Sequence, residues 1–243
     1  MNRSSNPGFT LIELLVVVAI IAVLAALLST AAHQSLAEGK RVHCLSNLRQ
    51  FAIAAQVFQK DHEGVYPAAE RTVRRNGDLV LEAWDFTQVR RGGRVDVEPG
   101  ILWGGDRDAR VQQCPSFSGE SNWAADPYTG YNYNTSYIGR SQRPAHSGDI
   151  GRPAATALFG DGEWAGGANK FMRSPFGSPF DNGFSGRYAG TQGFRHSRRT
   201  NVAFCDGHAV SLEDRYQTYA GDPLYLADGT GFLSPDNGLY DLE

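Results

Sequence analysis

No part of this 243-residue chain carries a broad basic excess. Lysine and arginine total 23 against 26 acidic residues, for a net charge of -3. Short basic clusters occur at Arg71-Arg74-Arg75, Arg90-Arg91-Arg94 and Arg195-Arg198-Arg199. Clusters this short read as solvated surface, so no nucleic acid partner is expected. A nucleophile elbow, a phosphate-binding glycine loop, a dinucleotide fingerprint and a zinc-protease helix are all missing. The acidic residues are too scattered to nominate a catalytic pair, and no enzyme activity is expected. There is no internal repeat; the Asp-Gly steps at 161–162, 206–207 and 228–229 read as separate turns. Proline is absent from Phe9 to His62, and Gly39 is the only glycine between them. Charge is absent from residues 14–28, LLVVVAIIAVLAALL.

That uncharged run dominates what is present. Counted from Phe9 to Leu28, it reaches the roughly 20 residues a helix needs to cross a bilayer. A secretory signal would have a more basic start than Arg3 alone and a shorter apolar core, although Ser29-Thr30-Ala31-Ala32 could imitate its cleavage site. A plain membrane anchor fits the length. Neither reading accounts for the polar leader MNRSSNPG or for Glu13 just inside the run. A carboxylate in hydrocarbon costs on the order of 2.5–3.5 kcal/mol at mid-span, and less near the interface, so it invites a functional reading.

The stretch Gly8-Phe9-Thr10-Leu11-Ile12-Glu13-Leu14 resembles the class III signal of type IV pilins and of type II secretion pseudopilins. The resemblance implies several things. A prepilin peptidase of the inner membrane would cut between Gly8 and Phe9 and N-methylate Phe9. Glu13 would pair with the N-terminal amine of a neighbouring subunit and set its axial register. Physically, Phe9 and Glu13 are four residues apart and so share one helix face; the alternative is a snorkelling or protonated acid with no partner. Charge counting does not choose the orientation, because Arg3 precedes the run while Lys40, Arg41 and Arg49 follow it. The motif places the leader in the cytoplasm.

The helix is expected to continue to about His62, roughly 80 Å of helix at 1.5 Å per residue. Gly39 is a possible weak point. Leu48, Phe51, Ala55 and Phe58, with Leu45 and Ala52 alongside, form an amphipathic face suited to packing on a head domain. The expected fold is α+β: a long N-terminal transmembrane helix, then a globular head with antiparallel β-sheet. The expected segments are a leader at 1–8, a membrane and assembly half-helix at 9–28, an extramembrane half-helix at 29–62 and a β-rich head at 63–243. Candidate strands are Thr156–Phe159, Asn201–Cys205 and His208–Leu212. The last two flank Asp206-Gly207, a two-residue hairpin signal in which Asp would tolerate positive φ. Residues 166–193 read as loop.

His196, nine residues and then Asp206-Gly207 form a pattern similar to the His-x9-Asp-Gly motif of prepilin-like proteins of the DUF1559 type. Supporting stretches are CLSNLRQFAIAAQVFQKDHEGVYP at 44–67, QCPS at 113–116, YNYNTSYIG at 131–139 and PAATALFGDGEW at 153–164. The resemblance implies architecture more than chemistry. His196, Asp206 and His208 are ligand types for a metal such as zinc, but a structural hairpin, with His196 capping or bonding it, is the preferred reading, and no metal ligands are assigned. The tail residues Asp222, Asp228, Asp236, Asn237 and Asp241 supply the oxygen chemistry calcium uses, without the spacing of an EF-hand. With the head outside the inner membrane, a disulfide is plausible. Cys44 and Cys114 are the first choice and Cys205 a buried free thiol, although sequence alone does not fix connectivity.

The resulting expectation is a pseudopilin or pilin-like subunit, held by a single span in a bacterial inner membrane. Its head would lie in the periplasm or in an extracytoplasmic filament. Its partners would be the peptidase-methyltransferase and other pilin-like subunits. The alternative is a membrane-anchored binding protein that never polymerises. Tyr128, Tyr131, Tyr133, Tyr137, Trp103, Trp123 and Trp164 would then face a carbohydrate.

Overall fold

The computed structural model describes residues 9–104, 109–165, 167–180 and 185–243. The chain divides into two compact units, Met1–Gly39 and Lys40–Glu243. One helix, α1 (Leu11–Asp61), supplies the described core of the first and opens the second. It ends where the sequence places its stop, with Glu63 and Gly64 both at positive φ just beyond. It passes through Gly39 without a break.

In the first unit, Leu11, Ile12, Leu14, Leu15, Val16, Ile20, Ile21 and Leu24 are all exposed. A helix apolar on every side has no face to give to water, so it belongs in lipid or among other apolar helices. The hydroxyls of Thr30 and Ser35 bond back to the carbonyls of Leu27 and Ala31, which keeps those polar groups satisfied within the helix.

In the second unit, α1 buries one face only: Cys44, Asn47, Leu48, Phe51, Ala52, Ala54 and Ala55. Against it lies a head whose described residues form three sheets. The first is an antiparallel meander of β1 (Glu70–Arg75), β2 (Asp78–Ala83), β3 (Phe86–Arg91) and β4 (Arg94–Pro99). The second contains β5 (Asn132–Asn134), β6 (Ala157–Gly160), β7 (Phe171–Met172), β9 (Thr200–Phe204) and β10 (Ala209–Leu212), in the order β10-β9-β6-β5-β7. All its pairings are antiparallel except β5 with β7. A short pair, β8 (Gln192–Gly193) with β11 (Thr230–Gly231), forms the third. The α+β expectation holds, and the three expected strands appear as β6, β9 and β10 within a residue or so. The expected loop at 166–193 contains β7 and β8.

The meander lies where no strands are expected from sequence. Its turns carry the signal: Asn76-Gly77 and Gly92-Gly93 each place two residues at positive φ between directly paired strand ends. Val80 and Val89 pair across it on the buried side. The arginines of the first two basic clusters include cross-strand partners of acids, Arg71 and Arg75 on Glu82 and Arg91 on Asp78, which agrees with a solvated surface. Inside the head, Lys170 is buried between Asp85 (2.9 Å) and Asp126 (2.5 Å), with Trp123 across its ammonium at 3.8 Å.

Phe51 is the hub of the core. Its ring meets Tyr131 at 5.0 Å, Trp103 at 5.4 Å, Phe159 at 5.5 Å and Trp84 at 5.7 Å, all edge to face. One helix side chain thus holds the meander, the loop after it and the second sheet. Phe51→Ala is expected to cost about 3–5 kcal/mol, the range for emptying a buried aromatic site. Denaturant melts of the detergent-solubilised chain check this, and a loss below about 1 kcal/mol would mean that the hub carries no such weight.

Candidate functional site

Two groups of residues stand out, one in each unit. In the first, Thr10 precedes α1 and Glu13 sits in its first turn. The Thr10 backbone N–H donates to Glu13 Oε2 at 2.8 Å, and the Thr10 hydroxyl donates to the same oxygen at 2.7 Å. The Glu13 N–H donates back to Thr10 Oγ1 at 3.3 Å. This is a capping box, Thr-x-x-Glu, in which each side chain satisfies a backbone donor the helix cannot. Sequence reasoning treats Glu13 only as a charge in an apolar run; the Thr10 to Glu13 spacing is the signal for this second use. Gly8 lies outside the described residues. Phe9 is exposed immediately before the cap.

In the second unit, four ligand-type side chains from four segments converge: Cys44, Cys114, Asp161 and His196. All are buried, and their donor atoms lie within 4.8 Å of one another. Cys44 comes from the buried face of α1. Cys114 is fixed by its N–H, which donates to Thr129 O at 3.1 Å. Gly130 makes room for it: at φ +115, a Cβ there would lie 2.8 Å from the Cys114 Cβ. The two sulfurs are 2.7 Å apart. Asp161 directly follows β6 and accepts from the Asn201 N–H at 2.7 Å. His196 Nε2 meets Asp161 Oδ2 at 3.1 Å and the Cys114 sulfur at 3.9 Å, while its Nδ1 is buried without a protein partner.

Arg195 closes the group. Its guanidinium reaches Asp161 Oδ1 at 3.3 Å, Glu163 Oε2 at 3.1 Å, the Cys114 sulfur at 3.5 Å and the carbonyl of Gly130. Burial resists its charge, but Asp161 and the Cys114 sulfur more than compensate, so it stays a cation. Burial also resists ionisation of Cys114, yet contact with Cys44, Arg195 and His196 pulls its thiol down; Cys44, in contact with Cys114 and buried, is pushed up.

The expected grouping of His196 with Asp206 and His208 is not what forms. His196 and Asp206 flank β9, with the full strand between them. Asp206 is exposed and accepts from both the His208 N–H (3.0 Å) and His208 Nδ1 (2.6 Å), closing the turn on itself. The hairpin loop is three residues rather than two, since the Phe204 N–H still bonds His208 O. Gly207, at φ +96, takes the left-handed position in place of Asp206. His196 neither caps nor bonds this hairpin; its partner Asp161 was visible in sequence only as one Asp-Gly step among three.

Four of the five tail residues have partners within the protein. Asp222 accepts from the Leu224 N–H, Asp236 from the Gly238 N–H, and Asn237 bonds the Phe176 N–H and the Tyr137 hydroxyl. Asp241 lies 3.6 Å from Arg152. Of the aromatics proposed for a carbohydrate face, Trp103, Tyr131, Tyr133 and Tyr137 are buried, and Tyr128, Trp123 and Trp164 half-buried.

With this geometry in place, comparison with known proteins adds one match. Residues 3–29 fit the model of the prokaryotic N-terminal methylation motif. No curated protein and no solved structure matches the chain. The chain therefore carries a prokaryotic N-terminal methylation signal, followed by a long apolar helix and a head of mostly antiparallel β-sheet. Among the described residues, one helix, Leu11–Asp61, is long and apolar enough by length and composition to cross a membrane.

The buried pair predicts a pH dependence. Burial opposes protonation of His196, but Asp161 and then Cys114 outweigh it and raise its pKa from 6.5 to about 9. The folded value lies above the unfolded one. The contribution is therefore complete below about pH 6.5 and is lost as pH rises through about 9. Thermal midpoints of the wild type should fall across that window. The fall should be shallower in His196→Gln, and parallel curves would remove the pair from the account.

Proposed function

We propose that this protein is a pseudopilin or pilin-like structural subunit of a type II secretion or type IV pilus-like assembly. The match of residues 3–29 to the methylation motif carries the reading. The helix that follows, exposed and apolar on every side in its first half, supports it. Residues 1–8 are the leader, 9–28 the membrane and assembly half of the helix, 29–62 its extramembrane half and 63–243 the head. A prepilin peptidase of the bacterial inner membrane cuts between Gly8 and Phe9 and methylates Phe9. The chain then holds a single span with its head outside the cytoplasm, and packs its helix against those of other subunits. The protein has no catalytic role. On this reading, His196, Asp206 and Gly207 are the motif of the DUF1559 type, a structural motif that brackets β9.

Cleavage gives Glu13 a second partner. The new amine of Phe9, four residues away, is the cation that a carboxylate at this depth needs. Supplied by a neighbouring subunit, it fixes the axial register of the fibre. The capping box makes a clean test available. Glu13→Gln keeps an acceptor for the Thr10 N–H but removes the charge, whereas Glu13→Ala removes both. Both variants should still be cut after Gly8, and both should fail to assemble. Filaments of normal yield from Glu13→Gln would show that the charge does not set register.

Processing is tested separately by intact mass and N-terminal sequencing of membrane-extracted protein. The wild type should begin at N-methyl-Phe9, and Gly8→Ala should retain the leader. A wild-type chain beginning at Met1 would leave a plain anchor and favour a non-polymerising binding protein. One beginning near Ala32 would be a secreted soluble protein.

A further inference from the structure

We propose that Cys44 and Cys114 are joined by a disulfide in the mature protein, tying helix α1 covalently to the head. The inference rests on the reading above in one respect, that the head folds outside the cytoplasm, where such bonds persist.

The rival for the same four side chains is a soft metal ion. Cysteine, cysteine, histidine and aspartate within 4.8 Å is a credible donor set by type. The sulfur spacing decides against it. Two thiolates bound to one zinc at about 2.3 Å in tetrahedral geometry stand about 3.8 Å apart. The sulfurs here are 2.7 Å apart, too close to share an ion and closer to bonding distance. Arg195 adds a second objection: a guanidinium touching both Cys114 and Asp161 places a cation where a divalent ion would need to be. With the disulfide formed, the remaining buried charges are complementary, Arg195 and His196 against Asp161 and Glu163. Cys205 stands apart; its neighbour is Tyr66, and burial raises its thiol to about 12.

The chemistry balances with a dithiol–disulfide oxidoreductase of the extracytoplasmic space as oxidant. Cys114, which lies beside Arg195 and His196 in the head, attacks one sulfur of the oxidant's disulfide as its thiolate and releases the other as a thiolate. Cys44 then loses its proton and attacks the Cys114 sulfur, freeing the oxidant. Two electrons and two protons pass to the oxidant, which leaves as a dithiol. Both cysteines are fully buried in the finished fold, so the exchange takes place before the head closes over α1. Afterwards the bond is shielded from reductants that cannot unfold the head.

The experiment uses full-length protein extracted from membranes, denatured and alkylated with and without reductant, then weighed intact. Without reductant one thiol, Cys205, should be labelled; with reductant all three should be. In Cys205→Ser no label should appear without reductant. Three labels without reductant on a chain that begins at Phe9 would overturn the disulfide alone. Three labels on a chain that begins at Met1 would overturn both the disulfide and the processing reading. Stoichiometric zinc in native mass spectra, together with three labels after chelation, would replace the disulfide with a metal site.

Discussion

Everything in this chain hangs on one helix that must satisfy two solvents. Up to Leu28, α1 presents aliphatic side chains on every side. From Lys40 onward, the same helix buries a single face and exposes the rest, where charged and polar residues are mixed with Val42, Ile53 and Val57. A helix cannot change its period, so it changes its composition. Apolar residues cover the whole circumference in the first half; in the second, polar residues interrupt them, and the buried line runs through Cys44, Leu48, Phe51 and Ala55 in steps of four, three and four. The small residues Ala52, Ala54 and Ala55 let the head approach, and Phe51 projects into it. Among the described residues, the head has no α-helix of its own to fold around.

The hairpin of β9 and β10 is the part of the head most closely matched to that helix. Asn201 on β9 bonds the Arg41 carbonyl, Arg49 bonds the Ala209 carbonyl, and Gln56 bonds the Asp206 carbonyl at the turn. These contacts advance along helix and hairpin together. They give the nine-residue spacing between His196 and Asp206 a physical meaning. One end of β9 anchors in the buried group around Cys44; the other ends in a tight turn that docks on Gln56, three helical turns further on. The motif is a measure of strand length rather than a constellation of reacting groups. The buried end has to be polar-satisfied, because an unpaired carboxylate at Asp161 would cost far more than the fold gains from the pair. Arg195, His196 and the Asn201 N–H all serve that one carboxylate.

The sequence was legible wherever one continuous segment carries the whole message. The N-terminal methylation motif is a linear string, so its residues appear in order from Gly8 to Leu14. The amphipathic face of α1 and the turn at Asp206-Gly207 are local for the same reason. The group at Cys44 was only half legible. The two cysteines could be paired by residue type, but Asp161 and Arg195 come from separate loops and carry no local signature. The error at His196 has the same origin. Nearness in sequence to Asp206 suggested a shared site, while the intervening strand carried the two residues to opposite ends. The meander was missed differently: Asn76-Gly77 and Gly92-Gly93 are local turn signals, but the flanking arginines masked the alternation that marks strands. The capping box was present in Thr-Leu-Ile-Glu, and attention to the cost of a buried charge concealed its simpler use.

That simpler use changes how Glu13 is understood. A carboxylate kept only for a partner on another subunit would sit unpaired in every monomer waiting in the membrane. Here it is paired from the start, with the backbone N–H and hydroxyl of Thr10 in its own chain. Each of those bonds is short-range and survives wherever the first turn is helical, so the monomer is not strained by storing the charge. In the proposed assembly, a neighbour's ammonium would be added to a carboxylate whose position along the axis the cap has already fixed, and a carboxylate with several lone pairs can accept both. The cap turns a flexible side chain into a marker of known height, which is the property the proposed register role calls for.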